Sequence, residues 1–356
     1  MSTISSRVST MPKIVPDLPG GSTSMSFVLR SVPSRLSGII PVFVLALAAL
    51  NVLTSRACAE EVIIGSTPTG HLMWIAEKKG FFEARGVDVK LLEFSSGVSA
   101  SRALAAGELH FGNSSEFAFV SNLMSHRGLK LIASIARVNS ANLFARKDRD
   151  IEHIGDLVGK RIGVTRRGVG EFFLGEILAI NGLAETDSTI VNLRAPDIVN
   201  EIAKGSIDAA MVWEPFVYKS KQILGDNFFM LPEQDSYYYH FVLAGMGNWI
   251  ETHQSETRAV LEALLDAESF AAKNPAEAQE IISTRFRLDP VFVRETWNKY
   301  VLEVTILQNL ISLMEQEAQW LIEKGHASGT RVPDFLDAVD AGPLSSVAPG
   351  AVKLIK

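Results

Sequence analysis

The chain of 356 residues carries 34 Lys and Arg against 40 Asp and Glu, with seven His and one Cys. That length suits one large domain or two ordinary ones, and 47% hydrophobic with 21% charged residues excludes bulk disorder. A net charge of −6 lacks the basic surplus of a nucleic-acid footprint; a single Cys excludes an internal disulfide, and no Cys/His cluster has zinc spacing.

The N-terminal segment reads as an address. Residues 38–53, GIIPVFVLALAALNVL, form a charge-free apolar run preceded by Arg30 and Arg35 and followed by Ala57-Cys58-Ala59. Basic flank, short apolar core and small-x-small exit make a secretory signal, with cleavage expected after Ala59. A membrane anchor is the alternative, but the run contains Pro41 and falls short of the ~20 residues a spanning helix needs. A lipid-modified Cys58 is a second alternative, disfavoured by Arg56 at a position that calls for a small or apolar residue. Residues 1–24 are rich in Ser, Pro and Gly, so translation is expected to start at Met25. Cleavage removes five of the 34 basic residues and one of the 40 acids, which leaves 29 against 39 and a net of −10. The exported product is then acidic, free of cysteine and expected in the periplasm.

Short strands alternate with amphipathic helices from residue 61 onwards. Strands are predicted at 62–66, 87–94, 109–112 and 130–136, with helices at 71–79, 99–106 and 117–126. The pattern restarts after 142–146, with a helical turn at 154–158. It continues with strands at 161–164, 189–193 and 207–212 and helices at 171–181, 198–204 and 215–222. A strand at 237–246 leads to long helices at 255–273, 275–284 and 308–324. Strand-then-helix order calls for mostly parallel sheets covered on both faces, here two α/β units with the second inserted in the first. No internal repeat is read after residue 60.

In such sheets ligands lie beyond the carboxyl ends of strands, against helix N-termini whose free N–H groups favour anions. Five turns qualify: Ser66-Thr67-Pro68-Thr69-Gly70, Ser95-Ser96-Gly97, Asn113-Ser114-Ser115-Glu116, Thr165-Arg166-Arg167-Gly168 and Trp213-Glu214-Pro215. Ser, Thr, Asn and Gly are also what helix caps and tight turns need, so any one turn taken alone reads as a cap. Turns from two separate units facing one cleft would instead offer hydroxyls and N–H groups on one wall and Arg166 or Arg167 on the other, suiting a small anion. Trp213 and Glu214 read equally as packing and helix-start charge, or as a flat wall and an acceptor for an amine. His71 and His240 are lone histidines without metal-ligand spacing. In the run Tyr237-Tyr238-Tyr239, alternate rings of a strand would face the cleft.

No phosphate loop, dinucleotide fingerprint or nucleophile elbow is present. With export, this favours binding over catalysis, with no cofactor and no metal.

Several segments resemble substrate-binding proteins of ABC transporters, in the family with sulfonate-, taurine-, nitrate- and thiamine-pyrimidine-binding members. They are Ile75-Ala76-Glu77-Lys78-Lys79-Gly80-Phe81-Phe82, then Ala106-Gly107-Glu108-Leu109-His110-Phe111-Gly112, where His110 replaces the usual acid. Asp156-Leu157-Val158-Gly159-Lys160 and Lys204-Gly205-Ser206-Ile207-Asp208-Ala209-Ala210 with Trp213-Glu214-Pro215-Phe216 complete them. The resemblance implies a type II periplasmic-binding-protein fold: two α/β lobes, each a mostly parallel sheet flanked by helices, hinged around an interlobe ligand cleft. Lobe 1 would be 60–143 with 238–330, lobe 2 144–237, and 331–356 a C-terminal tail. The ligand loops it implies carry Thr67, Thr69, His71, Ser96, Gly97, Ser114, Ser115, Glu116, Thr165, Arg166, Gly168, Trp213 and Glu214. It implies a monomeric receptor that hands a small solute to an inner-membrane permease. A sulfonate or taurine-like ligand would suit both the arginines and the acids, and a pyrimidine stacked on Trp213 is the alternative. An enzyme using His71, or a sensor, would be compatible with the same fold.

Overall fold

The computed structural model describes residues 60–355, apart from Arg127, Glu233, Asp235, Ser236, Tyr237 and Ser328. The expected signal segment, the Met25 start and Tyr237 lie outside those residues. In chain order the strands are β1 (Val62–Ser66), β2 (Val89–Glu93), β3 (Phe111–Ser115), β4 (Leu129–Val138), β5 (Ala141–Arg146), β6 (Arg161–Val164), β7 (Thr189–Asn192), β8 (Ala209–Trp213), β9 (Phe228–Met230), β10 (Tyr239–Met246), β11 (Tyr300–Val301), β12 (Ile306–Leu307) and β13 (Val352–Lys353). One sheet has the order β11-β4-β10-β3-β1-β2 and a second β7-β6-β8-β5-β9, while β12 and β13 pair alone.

Each large sheet is parallel over three strands and turns antiparallel where the chain arrives from the other. β1 pairs in parallel with β2 and β3, and β10 runs antiparallel to β3 and β4. Likewise β6 pairs in parallel with β7 and β8, and β5 runs antiparallel to β8 and β9. Interior strands such as β1 and β3 are buried on both faces, which is why they read as apolar or small runs without alternation. The chain passes from the first sheet to the second between β4 and β5 and returns between β9 and β10. The Tyr239 hydroxyl meets Ser140 Oγ at 2.7 Å there, and the Gln234 side chain bonds both backbone groups of Leu143.

Helices α1 (His71–Lys79), α2 (Phe81–Ala84), α3 (Gly97–Ala105) and α4 (Glu116–Leu123) serve the first sheet; α5 (Val169–Ile180), α6 (Ala195–Lys204) and α7 (Phe216–Leu224) serve the second. Then follow α8 (Gly247–Thr252), α9 (Gln254–Lys273), α10 (Pro275–Phe286), α11 (Pro290–Thr296), α12 (Gln308–Glu323), α13 (Phe335–Ala338) and α14 (Gly342–Val347). α9 buries Val260, Leu261, Leu264, Ala267 and Ala271 at helical spacing and lies along α1. Gly80 and Gly205 stop α1 and α6 in the left-handed region, at φ 69° and 74°, where a side chain would be strained.

Three sequence expectations are corrected. β5 begins at Ala141 and belongs to the second sheet, so the crossing falls before residue 143. Residues 331–355 are no tail: Phe335 and Leu344 are fully buried, Val339 bridges Leu131 of β4, and β13 pairs with β12. Isolated apolar residues in a polar stretch concealed that packing. Finally, the chain does repeat. β8 and α6 start 98 residues after β3 and α3 respectively. In each copy one backbone N–H is taken by a side chain 47 residues on: Ile63 N–H by His110 Nδ1 at 3.0 Å, Arg161 N–H by Asp208 Oδ2 at 2.9 Å. His110 thus does the acceptor work of the acid it replaces.

Candidate functional site

The turns singled out in the sequence are first of all caps. Ser96 accepts from Ser99 N at the start of α3, and Ser115 from Ala118 N at the start of α4. Thr67 and Thr69 join their hydroxyls at 2.9 Å, and Thr165 Oγ1 donates to the Leu193 carbonyl at 2.9 Å. These bonds hold the loops rigid, so their remaining lone pairs and nearby N–H groups have fixed directions.

Thr67, Thr69, Gly97, Ser115, Gly168 and Trp213 come together from both sheets around one recess, with Val98, Val169, Tyr239 and Phe241. Its volume is about 20 Å³. None of the lining side chains is charged, so any anion held there would rest on hydroxyls and helix-start N–H groups. Gly97 permits α3 to sit on the end of β3: a Cβ would stand 3.0 Å from Ser114 Cα. At Gly168 a Cβ would stand 3.2 Å from the Thr165 carbonyl oxygen, 3.4 Å from Val98 and 3.7 Å from Trp213, filling the space between the sheets. No side chain caps α5 at Gly168; the Glu171 N–H bonds the Gly168 carbonyl at 3.0 Å, and Gly168 and Val169 are the residues of this helix start that border the recess.

Ser96, Thr165 and Arg166 line a larger adjoining cavity of about 470 Å³, with Arg102, Arg167, Arg194 and His326. Arg166 is committed within the protein: its Nη1 lies 2.6 Å from Glu171 Oε1, and Glu171 also accepts from Arg167 N at 2.7 Å. Glu171 is almost fully buried in the first turn of α5, where a carboxylate suits the helix end. The expected free guanidinium at Arg166 is therefore a neutralised one.

His71, Glu214 and Thr69 border a third recess of about 20 Å³ with Tyr300. His71 is buried, stacked on Trp297 at 5.2 Å, and burial depresses its imidazole to about 3. Glu214 accepts from Tyr218 N at 3.0 Å and faces Lys299 at 3.8 Å; burial raises its carboxyl despite that lysine. The helix-start reading of Glu214 thus accounts for its bonds. Ser114 and Glu116 border none of these three spaces. Ser114 is buried with its hydroxyl donating to Ser115 O, and Glu116 is buried entirely, its oxygens without a side-chain hydrogen-bonding partner among the described residues. Burial pushes Glu116 up to about 8. His240, depressed by burial to about 4, lies 2.9 Å from Ser134 Oγ inside the first sheet.

Tyr239, one of the alternate rings expected to face the cleft, lines the recess; sequence reasoning missed Phe241 beside it and Arg102, Arg194 and His326 of the cavity. Arg194 stands at the N-cap position of α6, as Ser96 does at that of α3 98 residues earlier, though its side chain makes no capping bond; the repeat would have found it. No sequence signal joins His326 to a loop 160 residues away. Among the described residues no group of three or more His, Cys, Asp or Glu could hold a metal ion, and no helix is long and apolar enough to cross a membrane.

The chain resembles proteins of known name. The taurine-binding periplasmic protein of Escherichia coli is 32% identical over 187 residues, 51% of this chain and 58% of that protein. The alkanesulfonate-binding protein of Xanthomonas axonopodis pv. citri, solved bound to MOPS, superposes with a TM-score of 0.70 at 17% identity, over 79% of this chain and 98% of that one. A desulfurization enzyme superposes with a TM-score of 0.65 at 13% identity, over 81% and 99%. These likenesses show a periplasmic-binding-protein-like fold that both binding proteins and an enzyme use. The family model described as NMT1/THI5 like matches residues 69–278, and the chain belongs to that family.

Proposed function

We propose that the protein is the exported solute receptor of an ABC importer, a monomer that takes a small organic anion or zwitterion between its two sheets and presents it to an inner-membrane permease. The observation that carries this reading is the uncharged recess itself. Turns from both sheets meet there, and Gly168 keeps a side chain out of the space. A sulfonate is the headgroup that suits its lining best, entering as the sheets part, since about 20 Å³ admits only a single water: three oxygens accept hydrogen bonds from hydroxyls and helix-start N–H groups, whose fixed dipoles replace water without a counter-charge. Support comes also from the taurine- and alkanesulfonate-binding names of similar proteins. In this reading the sheets are lobes that close by bending where the chain passes between them, at residues 139–140 and between β9 and β10, and Trp213 is a wall for the ligand's carbon skeleton.

Calorimetric titration of the purified protein with ethanesulfonate and taurine tests the reading, with one bound molecule per chain and the compound recovered unaltered as the expected result. Gly168→Val, at a backbone φ of −117° that any residue tolerates, is expected to weaken binding more than tenfold by filling the recess. Recovery of a chemically altered compound would assign catalysis instead, and unchanged affinity in the variant would place the ligand elsewhere.

A further inference from the structure

The 470 Å³ cavity beside the recess has a charge that the reading above leaves unused. Four guanidinium groups border it, from Arg102, Arg166, Arg167 and Arg194, against one lining carboxylate, Glu171. Glu171 pairs with Arg166, and Asp197 pairs with Arg194 at 2.6 Å. Arg102 and Arg167 have no carboxylate partner among the described residues; Arg167 Nη2 donates to the His326 carbonyl at 3.2 Å, which occupies one of its five donors. The starts of α3 and α6 border the same space through Ser96 and Arg194, adding the positive ends of two helices. In a chain of net charge −6, this is a local inversion of sign inside a concavity, where the field is focused rather than dispersed.

The cavity and the recess are neighbours along the chain. Ser96 borders one and Gly97 the other, Arg167 one and Gly168 the other, and Val98 borders both. With consecutive Cα atoms 3.8 Å apart, groups held in the two spaces would be separated by about 4–7 Å, the reach of about three to five bonds, which puts at least two carbons between the groups.

We infer that the ligand carries two anionic groups: a sulfonate in the recess and, two or three carbons away, a carboxylate or second sulfonate held by Arg102 and Arg167. This rests on the receptor reading and sharpens it, because taurine would place its ammonium among unpaired guanidiniums. Short sulfocarboxylates and disulfonates are the matching class, and the guanidinium fork suits either terminal group bidentately.

Titration of the purified protein with ethanesulfonate, taurine and 3-sulfopropanoate separates the possibilities. The dianion is expected to bind at least tenfold more tightly than ethanesulfonate, as one charged hydrogen-bonding pair implies, with taurine the weakest of the three. The double substitution Arg102→Gln and Arg167→Gln should erase that advantage while changing ethanesulfonate affinity less than twofold, which also shows that the variant is folded. Equal binding of ethanesulfonate and 3-sulfopropanoate, or an equal loss of both in the variant, would overturn the inference and leave the receptor reading standing. Failure of all three compounds to bind would overturn both.

Discussion

His110 does with an imidazole what Asp208 does with a carboxylate in the other copy. Its Nδ1 takes the Ile63 N–H at 3.0 Å, while its ring stacks on Trp249 at 4.8 Å. The ring nitrogen can accept only while it is unprotonated. Burial, the largest influence, holds the imidazole below its usual value. A base lowered in this way binds fewer protons folded than unfolded, so its contribution to stability is present near neutrality and is lost as pH falls below 6.5. His110→Ala is expected to cost about 1 kcal/mol by removing the acceptor of a part-buried N–H. His110→Asn keeps an acceptor that does not titrate, and should show a shallower loss between pH 7.5 and pH 5. Urea unfolding at those two pH values checks both; an alanine variant as stable as the parent would mean that water serves Ile63 equally well.

Helices α4 and α12 pack together and bring Glu116 and Glu317 into one interior. Glu317 lies in the apolar stripe of α12, among Leu310, Ile311, Met314, Ala318 and Leu321, with neither oxygen bonded. Burial raises both carboxyls, and the charge of Glu116 raises Glu317 further. Acids raised on folding hold protons that the unfolded chain has already released. Stability therefore declines as pH climbs from about 4.5 towards the value of about 8 reached by Glu116. Glu317→Met should remove an unpaired buried polar group and raise the melting temperature by several degrees at pH 8, with less gain at pH 5. Calorimetric scans at both values test this, and destabilisation at both would show that Glu317 has an acceptor role after all. Much of this architecture was legible because local chemistry and fold agree: Ser96 and Ser115 had to cap helices, and 254–273 repeats its apolar residues at helical spacing. The burial of Glu116 was not legible because a helix start suits either a ligand or a buried carboxyl, and only α12, two hundred residues away, decides. The pairing of Arg166 was hidden for a similar reason: its partner Glu171 sits one turn into α5, where the sequence equally allows an ordinary first-turn acid. The repeat escaped notice because His110, Asn113 and Ser114 stand where the second copy has Asp208, Met211 and Val212. Backbone roles persisted there while side chains diverged.

Across the whole molecule, the sheets are bridged on two sides of the recess. On one side Phe172 of α5 packs at 5.6 Å from both Phe117 of α4 and Trp320 of α12, and Lys324 meets Glu185 at 2.9 Å. On the other, the Tyr218 hydroxyl donates to Asp289 at 2.9 Å and its ring lies 4.4 Å from Phe292. If the lobes hinge as proposed, these are the contacts that form on closing, and Gly175 is where they are least tolerant. A Cβ there would stand 2.9 Å from Trp320 Cζ2, and that indole is already packed against Phe117 and Phe172. Within α5 the change to alanine favours the helix by about 1 kcal/mol, so Gly175→Ala should not unfold the second sheet's layer. Its cost falls on the approach of the two faces, where overpacking of this kind amounts to about 1–3 kcal/mol. Ligand affinity should then drop about tenfold, with a scattering radius larger than that of the parent at saturating ligand. Parental affinity and an unchanged radius would mean that Trp320 and α5 stay in contact whether or not ligand is present, and the hinge would have to be sought elsewhere.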